Sequence, residues 1–201
     1  MTRPRPRAAA LALAAALALP ACPDTDARLD RFVAASEPLR VPPGALTCDG
    51  PVDASGPYFI AVAASVAPGL PILFAGDLDV DLDAGLVRLE MRTLDYQTRA
   101  AAGELLVAEG ALAADGTFTL DFGEVLVPAV ADPILHIDVK VDFALVGCTR
   151  AADAVCGLLE GDVTEPTAVP LAGSTWGGAS LAATPLADAP VSAACDDGGD
   201  E

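Results

Sequence analysis

His136 and Asp138 are the residues best suited by type and spacing to catalysis. A carboxylate beside a histidine can orient the imidazole as a general base, which makes half of a catalytic dyad. The nucleophile is missing, because no Ser lies in a G-x-S-x-G turn and the Gly/Ser/Trp run at 173–177 lacks that spacing. The pattern favours an exposed surface histidine and predicts a non-enzymatic protein, with a hydrolase using His136 as a distant alternative.

Acidic residues between Asp77 and Glu90 partly match a calcium-binding loop. With Asp79 at position 1, Asp81, Asp83 and Glu90 fall at positions 3, 5 and 12. Position 6 requires glycine but holds Ala84, and no helical pattern flanks the loop. A solvated hairpin face with cross-strand ion pairs is therefore favoured, and no metal site is predicted. No dinucleotide or P-loop fingerprint occurs either, so no cofactor is predicted.

Four of the five cysteines, at 48, 148, 156 and 195, form an even set in the body of the chain. In an exported chain such a set indicates two disulfides. The spacing favours a bridge between Cys148 and Cys156 and a second between Cys48 and Cys195. A zinc site is disfavoured, because the sequence has no C-x-x-C pair and a single His.

The amino-acid composition limits the classes of partner that the protein could bind. The 201-residue chain carries a net charge of −18, which disfavours nucleic acids and anionic membrane faces because both require clustered Lys and Arg. The hydrophobic fraction of 53% is enough for the core of one domain. All basic residues except Lys140 are Arg and Asn is absent, a bias typical of high-GC coding.

The N-terminal segment is a targeting sequence. Arg3, Arg5 and Arg7 precede an apolar run from Ala8 to Leu19 that is too short to span a bilayer, as in a signal peptide. The segment ends in Leu19-Pro20-Ala21-Cys22, which resembles the lipobox of bacterial lipoproteins. The resemblance implies cleavage before Cys22, acylation of its thiol, and anchoring in the cell envelope of a high-GC Gram-negative bacterium, in the outer membrane or at the periplasmic face. An ordinary secretory signal is the alternative.

The domain boundaries follow from these signals. Residues 1–21 are the predicted signal peptide, 22–47 a lipid-anchored tether, 48–195 a single β domain and 196–201 an acidic tail. In the β domain, runs of about ten residues follow one another with turn signals between them. Eight strands are predicted, over 57–66, 72–83, 86–94, 104–113, 117–127, 134–147, 155–165 and 171–181.

Three hairpins can be paired from the sequence, because partners in a hairpin have residue numbers with a constant sum. An Ala84-Gly85 loop would set Asp81 against Arg88. An Ala114-Asp115-Gly116 loop, with Gly116 left-handed, would set Leu112 against Phe118, Gly110 against Leu120 and Ala108 against Phe122. Pairing of Cys148 with Cys156 would continue through Leu145 with Leu159, Phe143 with Gly161 and Val141 with Val163.

The predicted fold class is all-β, an eight-stranded antiparallel up-and-down barrel, with a two-sheet β-sandwich as the alternative. A barrel with its apolar face toward lipid is disfavoured by the few aromatic residues. Two functions stay open for the lipid-anchored protein. It could bind a small apolar ligand or lipid inside the barrel, as its small inward residues hint, or it could be a structural or interaction protein with a filled core and an acidic surface for a protein partner or cations. The small inward residues are Ala64, Ala108, Gly110, Gly157 and Gly161.

Overall fold

The computed structural model describes residue 46 and residues 48–195, and these contain nine β-strands. The predicted signal peptide, the anchoring Cys22, the tether apart from residue 46, and the acidic tail lie outside the described residues. The strands are β1 Gly56–Ala63, β2 Ile72–Asp81, β3 Leu86–Thr93, β4 Leu106–Ala111, β5 Thr117–Val127, β6 Val139–Ala151, β7 Ala154–Glu165, β8 Val169–Pro170 and β9 Ser174–Ser180.

Eight of these strands form a nearly closed antiparallel barrel. The long strands pair in the order β4-β3-β2-β1-β9-β7-β6-β5, so all neighbours along the chain are paired except β4 with β5, and the two-residue β8 pairs only with β7. The ends of the body meet where β9 pairs with β1 over Tyr58–Ser180 through Ala63–Thr175. The predicted all-β up-and-down barrel is thus confirmed.

The third predicted hairpin is confirmed in register. Cys148 lies opposite Cys156. The ladder continues through the other three predicted pairs, which are Leu145–Leu159, Phe143–Gly161 and Val141–Val163. In the second hairpin Gly116 is left-handed, with φ +87°, and Leu112 forms a bridge with Phe118. The ladder does not continue to Gly110 and Leu120, so the rest of that prediction is wrong.

The first hairpin is shifted by two residues from its predicted register. Asp79, not Asp81, lies opposite Arg88, because the turn has four residues instead of two. The Asp81 carboxylate accepts a hydrogen bond from the Ala84 amide at 2.7 Å, and Gly85 supplies a left-handed φ of +65°. A shift of two keeps the side chains of the paired strands on their predicted faces, so the hydrophobic pattern of those strands cannot distinguish the two registers. Leu82, at the end of the predicted strand over 72–83, lies instead in the turn and is 49% exposed.

The predicted strand over 134–138 is wrong, since β6 begins at Val139. The buried Asp132 carboxylate accepts hydrogen bonds from the amides of Ile134 and Leu135 and thereby stabilises a turn. His136 has a φ of 58°, which lies outside the range of a regular strand for a residue other than glycine. The alternating polar and apolar residues here lie in a loop, where alternation has no structural meaning.

The core lies inside the barrel. Alternate residues of the eight long strands form one continuous apolar cluster, with their polar neighbours outside. This is the reverse of a barrel whose apolar face meets lipid. A second, smaller cluster lies on the outer face of β1 and β2, where Phe59, Ala61 and Leu73 are covered by residues 181–195. We call residues 181–195 the strap.

Candidate functional site

The barrel interior, the predicted ligand cavity, is filled around Trp176. The indole is 1% exposed, and its Nε1 donates a hydrogen bond to the Val146 carbonyl oxygen at 3.3 Å. Its ring centroid lies 6.2 Å from that of Phe118. The other large side chains with almost no exposure on the inward face are Tyr58, Ile60, Leu89, Met91, Leu120 and Leu145.

Small residues in the barrel wall make room for this tryptophan. A Cβ on Gly147 would lie 2.5 Å from Trp176 Cζ2, and a Cβ on Gly157 would lie 2.8 Å from its Nε1. Gly157 lies directly opposite Gly147 in the β6–β7 ladder and directly opposite Trp176 in the β7–β9 ladder. Gly157, one of the small inward residues that hinted at a cavity, therefore marks the place of the buried indole.

Two shallow surface depressions lie along β7. One is bordered by Leu158, Gly161 and Ala172, next to the short strand β8. The other runs along the outside of the β6–β7 turn beside Cys195. Each is lined by one residue of the interior cluster, Leu159 in the first and Val155 in the second, and both are open to solvent. Neither is the enclosed apolar pocket that a buried small ligand requires.

All four body cysteines form disulfides, but the favoured connectivity is wrong. Cys48 is bonded to Cys148 and Cys156 to Cys195, with Cα separations of 5.8 and 5.1 Å. Cys148 and Cys156 are paired across β6 and β7, on the side opposite the inward pair Gly147 and Gly157. Each therefore bonds to a cysteine in one of the terminal segments of the β domain, Cys48 or Cys195, instead of to its partner in the ladder.

Arg99 holds the strap over the outer apolar cluster. Its guanidinium donates hydrogen bonds to the carbonyl oxygens of Leu186, Ala187 and Ala189, and its Cζ lies 4.6 Å from the Phe59 ring centroid. Arg99 itself has a φ of 57°. Sequence reasoning missed this residue, because an arginine in a left-handed turn carries no pattern that links it to a segment nearly ninety residues away.

The strap also crosses β9. The Thr175 hydroxyl donates to the Ala193 carbonyl oxygen at 2.6 Å, and a Cβ on Gly177 would lie 2.6 Å from the Ser192 carbonyl oxygen. Gly177 is therefore required for the close approach of the two backbones. The Gly/Ser/Trp run has no catalytic geometry, since the buried Ser174 hydroxyl accepts a hydrogen bond from the Ser65 amide at 2.9 Å.

His136 and Asp138 do not form a dyad. The His136 ring stacks on Tyr96 with centroids 5.3 Å apart, and its Nδ1 lies 3.1 Å from the Asp132 carbonyl oxygen. Asp138 instead accepts a hydrogen bond from the Ala129 amide at 2.9 Å. Both residues are exposed, and each stabilises the 128–138 loop.

The acidic hairpin does not have the geometry of a calcium loop. Asp79 lies opposite Arg88, which also forms an ion pair with Glu90 on its own strand. Asp81 caps the turn through the Ala84 amide. Within residue 46 and residues 48–195, no group of three or more His, Cys, Asp or Glu side chains could hold a metal ion.

The barrel is incompletely closed between β4 and β5, and we call their facing edges the seam. Each of the other seven junctions is a ladder of at least six residue pairs, whereas the seam has the single bridge Leu112–Phe118. A Cβ on Gly110 would overlap the Thr119 carbonyl oxygen. The strands thus touch at Gly110 and are not paired beyond it. The sequence analysis did not predict the seam, because the constant-sum rule extends the hairpin pairing from Leu112–Phe118 to Gly110–Leu120 without any information about where the pairing ends.

Comparisons with protein-family models, with curated proteins and with solved structures each find no match to this chain. In the part of the chain that the structure describes, no helix is long and apolar enough to cross a membrane.

Proposed function

We propose that this chain is a lipid-anchored envelope protein of a Gram-negative bacterium that acts without catalysis, through its outer surface. The acylated Cys22 would hold it in the outer membrane or at the periplasmic face. The acidic exterior would contact a protein partner or divalent cations. The barrel would serve as a rigid body that presents this surface, and it would not carry a small molecule.

The observation that carries this proposal is the filled interior. Trp176 occupies the space beside Gly147 and Gly157, and the surrounding inward side chains have almost no exposure. A carrier would need a concave apolar space that buries most of its ligand. The packed core therefore favours an interaction or structural protein over a carrier of small apolar ligands or lipids.

The two disulfides and the lipobox resemblance support export. Disulfides persist in oxidising compartments, including the bacterial periplasm. Two acyl chains give lasting membrane attachment at about 0.8 kcal/mol per buried methylene, so the body requires no membrane-binding surface of its own. The net charge of −18 agrees with this division of roles, since an acidic body is repelled by anionic headgroups.

Metabolic labelling of the full chain in a Gram-negative host tests the anchor. With an alkyne analogue of palmitate, we expect the wild type to be labelled and recovered with membranes, and Cys22→Ser to be unlabelled. Non-reducing electrophoresis of both proteins verifies that their disulfides are intact. An unlabelled wild type released with the soluble periplasmic proteins would support the ordinary secretory signal and overturn the anchor.

Native mass spectrometry before and after solvent extraction tests the filled interior. We expect the unlipidated protein at its bare polypeptide mass, lowered by the hydrogens lost in forming two disulfides. A stoichiometric small molecule that leaves on extraction would instead establish a ligand carrier and overturn the non-carrier role.

A further inference from the structure

The sequence contains a single Asp-Pro peptide bond, between Asp132 and Pro133 in the loop that joins β5 and β6. Such a bond is chemically labile for two reasons. The aspartate carboxylate can close a five-membered ring on its own carbonyl carbon. The proline nitrogen carries no N–H and is a more basic leaving group than an ordinary amide nitrogen. The bond therefore brings a nucleophile and a leaving group together without any other residue.

The loop holds the nucleophile beside this bond. Asp132 is 2% exposed, and Pro133 is also buried. One carboxylate oxygen accepts a hydrogen bond from the Ile134 amide at 2.9 Å, and the other accepts one from the Leu135 amide at 3.2 Å. Both donors follow the Asp-Pro bond in the chain, so the carboxylate is held alongside it. Fixing a reactive group in this way removes part of the entropic cost of ring closure.

A hydrogen-bond donor lies at the carbonyl oxygen of the same bond. His136 Nδ1 is 3.1 Å from the Asp132 carbonyl oxygen. A carbonyl oxygen only accepts, so this hydrogen bond requires the tautomer that carries a proton on Nδ1. Negative charge develops on that oxygen when its carbon is attacked, and a donor placed there stabilises the transition state.

Two features fix the position of the His136 ring. The ring stacks on Tyr96, with centroids 5.3 Å apart, and the residue has a left-handed φ of 58°. Tyr96 is held in turn, since its amide donates to the Val130 carbonyl oxygen at 3.1 Å. A left-handed conformation is unfavourable for residues other than glycine and clusters at functional sites.

We infer that the Asp132–Pro133 bond is a self-cleavage site, with the Asp132 carboxylate as nucleophile and His136 as the oxyanion donor. A carboxylate oxygen attacks the Asp132 carbonyl carbon, the bond to the Pro133 nitrogen breaks, and that nitrogen takes a proton from solvent. Water then opens the cyclic anhydride and leaves a free α-carboxylate on Asp132. The reaction consumes one water and involves no oxidation or reduction. The inference goes beyond the proposed function and does not rest on it.

The cleaved protein would stay assembled as one barrel. The cut separates β1–β5 from β6–β9, and the β5–β6 and β1–β9 ladders join these two groups. The Cys48–Cys148 disulfide also links the two fragments covalently. Cleavage would therefore create two new termini in the 128–138 loop without releasing either fragment.

Mass spectrometry of the full chain carrying Cys22→Ser tests the inference. The protein is incubated in mildly acidic buffer, because the departing proline nitrogen must take up a proton. We expect the unreduced protein to become heavier by one water. Reduction should then release two fragments, one ending at Asp132 and the other beginning at Pro133. The rate should be independent of protein concentration, because the reaction occurs within one chain.

Two variants of His136 separate the donor from the backbone conformation. His136→Gly tolerates the left-handed φ but has no donor, and its cleavage should be slower by about 100-fold, as expected for the loss of one oxyanion donor. His136→Asn also tolerates this φ, and its side-chain amide nitrogen is bonded to Cγ, as Nδ1 of histidine is. It should retain most of the rate. Near-ultraviolet circular dichroism of the buried Trp176 verifies that each variant is folded.

Three results would overturn the inference. One is a wild-type protein whose mass is unchanged after several days of incubation. Another is an equal cleavage rate in the folded protein and in the chain unfolded in urea, which would reduce the reaction to the ordinary lability of an Asp-Pro bond. The third is an equal rate in the wild type and His136→Gly, which would remove His136 from the reaction.

Discussion

Removal of the Cys156–Cys195 disulfide should release the strap while the barrel stays folded. This bond closes 39 residues, and the chain-entropy relation gives about 4 kcal/mol of stabilisation at 25 °C. The Cys48–Cys148 bond closes 100 residues and gives about 5 kcal/mol by the same relation. Cys156→Ala/Cys195→Ala and Cys48→Ala/Cys148→Ala should therefore lose similar free energies of unfolding in urea, so global stability alone does not distinguish them.

The difference between the two variants should be local. Without its terminal bond, the strap is held by the Arg99 hydrogen bonds, the Thr175–Ala193 bond and the small outer cluster around Phe59. Limited thermolysin digestion under native conditions should cleave at Leu186 in Cys156→Ala/Cys195→Ala. The matched variant Cys48→Ala/Cys148→Ala should resist cleavage there, because its strap remains bonded at Cys195.

Equal cleavage at Leu186 in both variants would refute a strap fastened by Cys195. Recovery of a Cys148–Cys156 peptide from a non-reducing digest of the wild type would refute the connectivity itself. A loss of all cooperative unfolding in Cys156→Ala/Cys195→Ala would show that the barrel depends on the strap, against the separation of the two apolar clusters.

Three further outcomes follow from the core and its edges. Burial, with the nearby charges of Asp153 and Asp53, raises the pKa of Tyr58 to about 12 from 10.0, so the unfolded chain releases this proton at lower pH than the folded protein does. The free energy of unfolding should therefore fall by about 2 kcal/mol as pH rises from 10 to 12, and Tyr58→Phe should abolish that part of the decline in urea titrations at stepped pH. Gly147→Ala should lower the free energy of unfolding by about 1–3 kcal/mol, because the added Cβ would meet Trp176 and Phe118. Gly69→Ala, where the added Cβ meets nothing within 4 Å, should leave the free energy of unfolding nearly unchanged in the same assay. Leu120→Ala should cost about 2–5 kcal/mol by leaving a cavity, and a loss below about 1 kcal/mol would contradict a tightly packed interior.

Local pattern was sufficient for the fold. Strict alternation in 77–83, turn glycines such as Gly116, and the polarity match across 141–148 and 156–163 together predict a meander of eight strands, and these features depend on neighbours a few residues apart. The same reasoning failed at Ile134–Asp138, where the carboxylate of Asp132 forms turn hydrogen bonds that a period-two pattern does not reveal.

The sequence by itself determined the strand order, because short turns join consecutive strands, and the face to which most side chains point, because that follows from a period of two. It also determined that four cysteines form disulfides, because their number is even in a chain predicted to be exported. Tertiary structure alone decided which cysteines are bonded, where Trp176 lies, what Arg99 holds and where the barrel fails to close. Each of these is a contact between segments far apart in the chain, set by the three-dimensional path of the backbone. A spacing rule has no information about that path, so a cysteine opposite another in a ladder can still bond to a segment crossing the outer face.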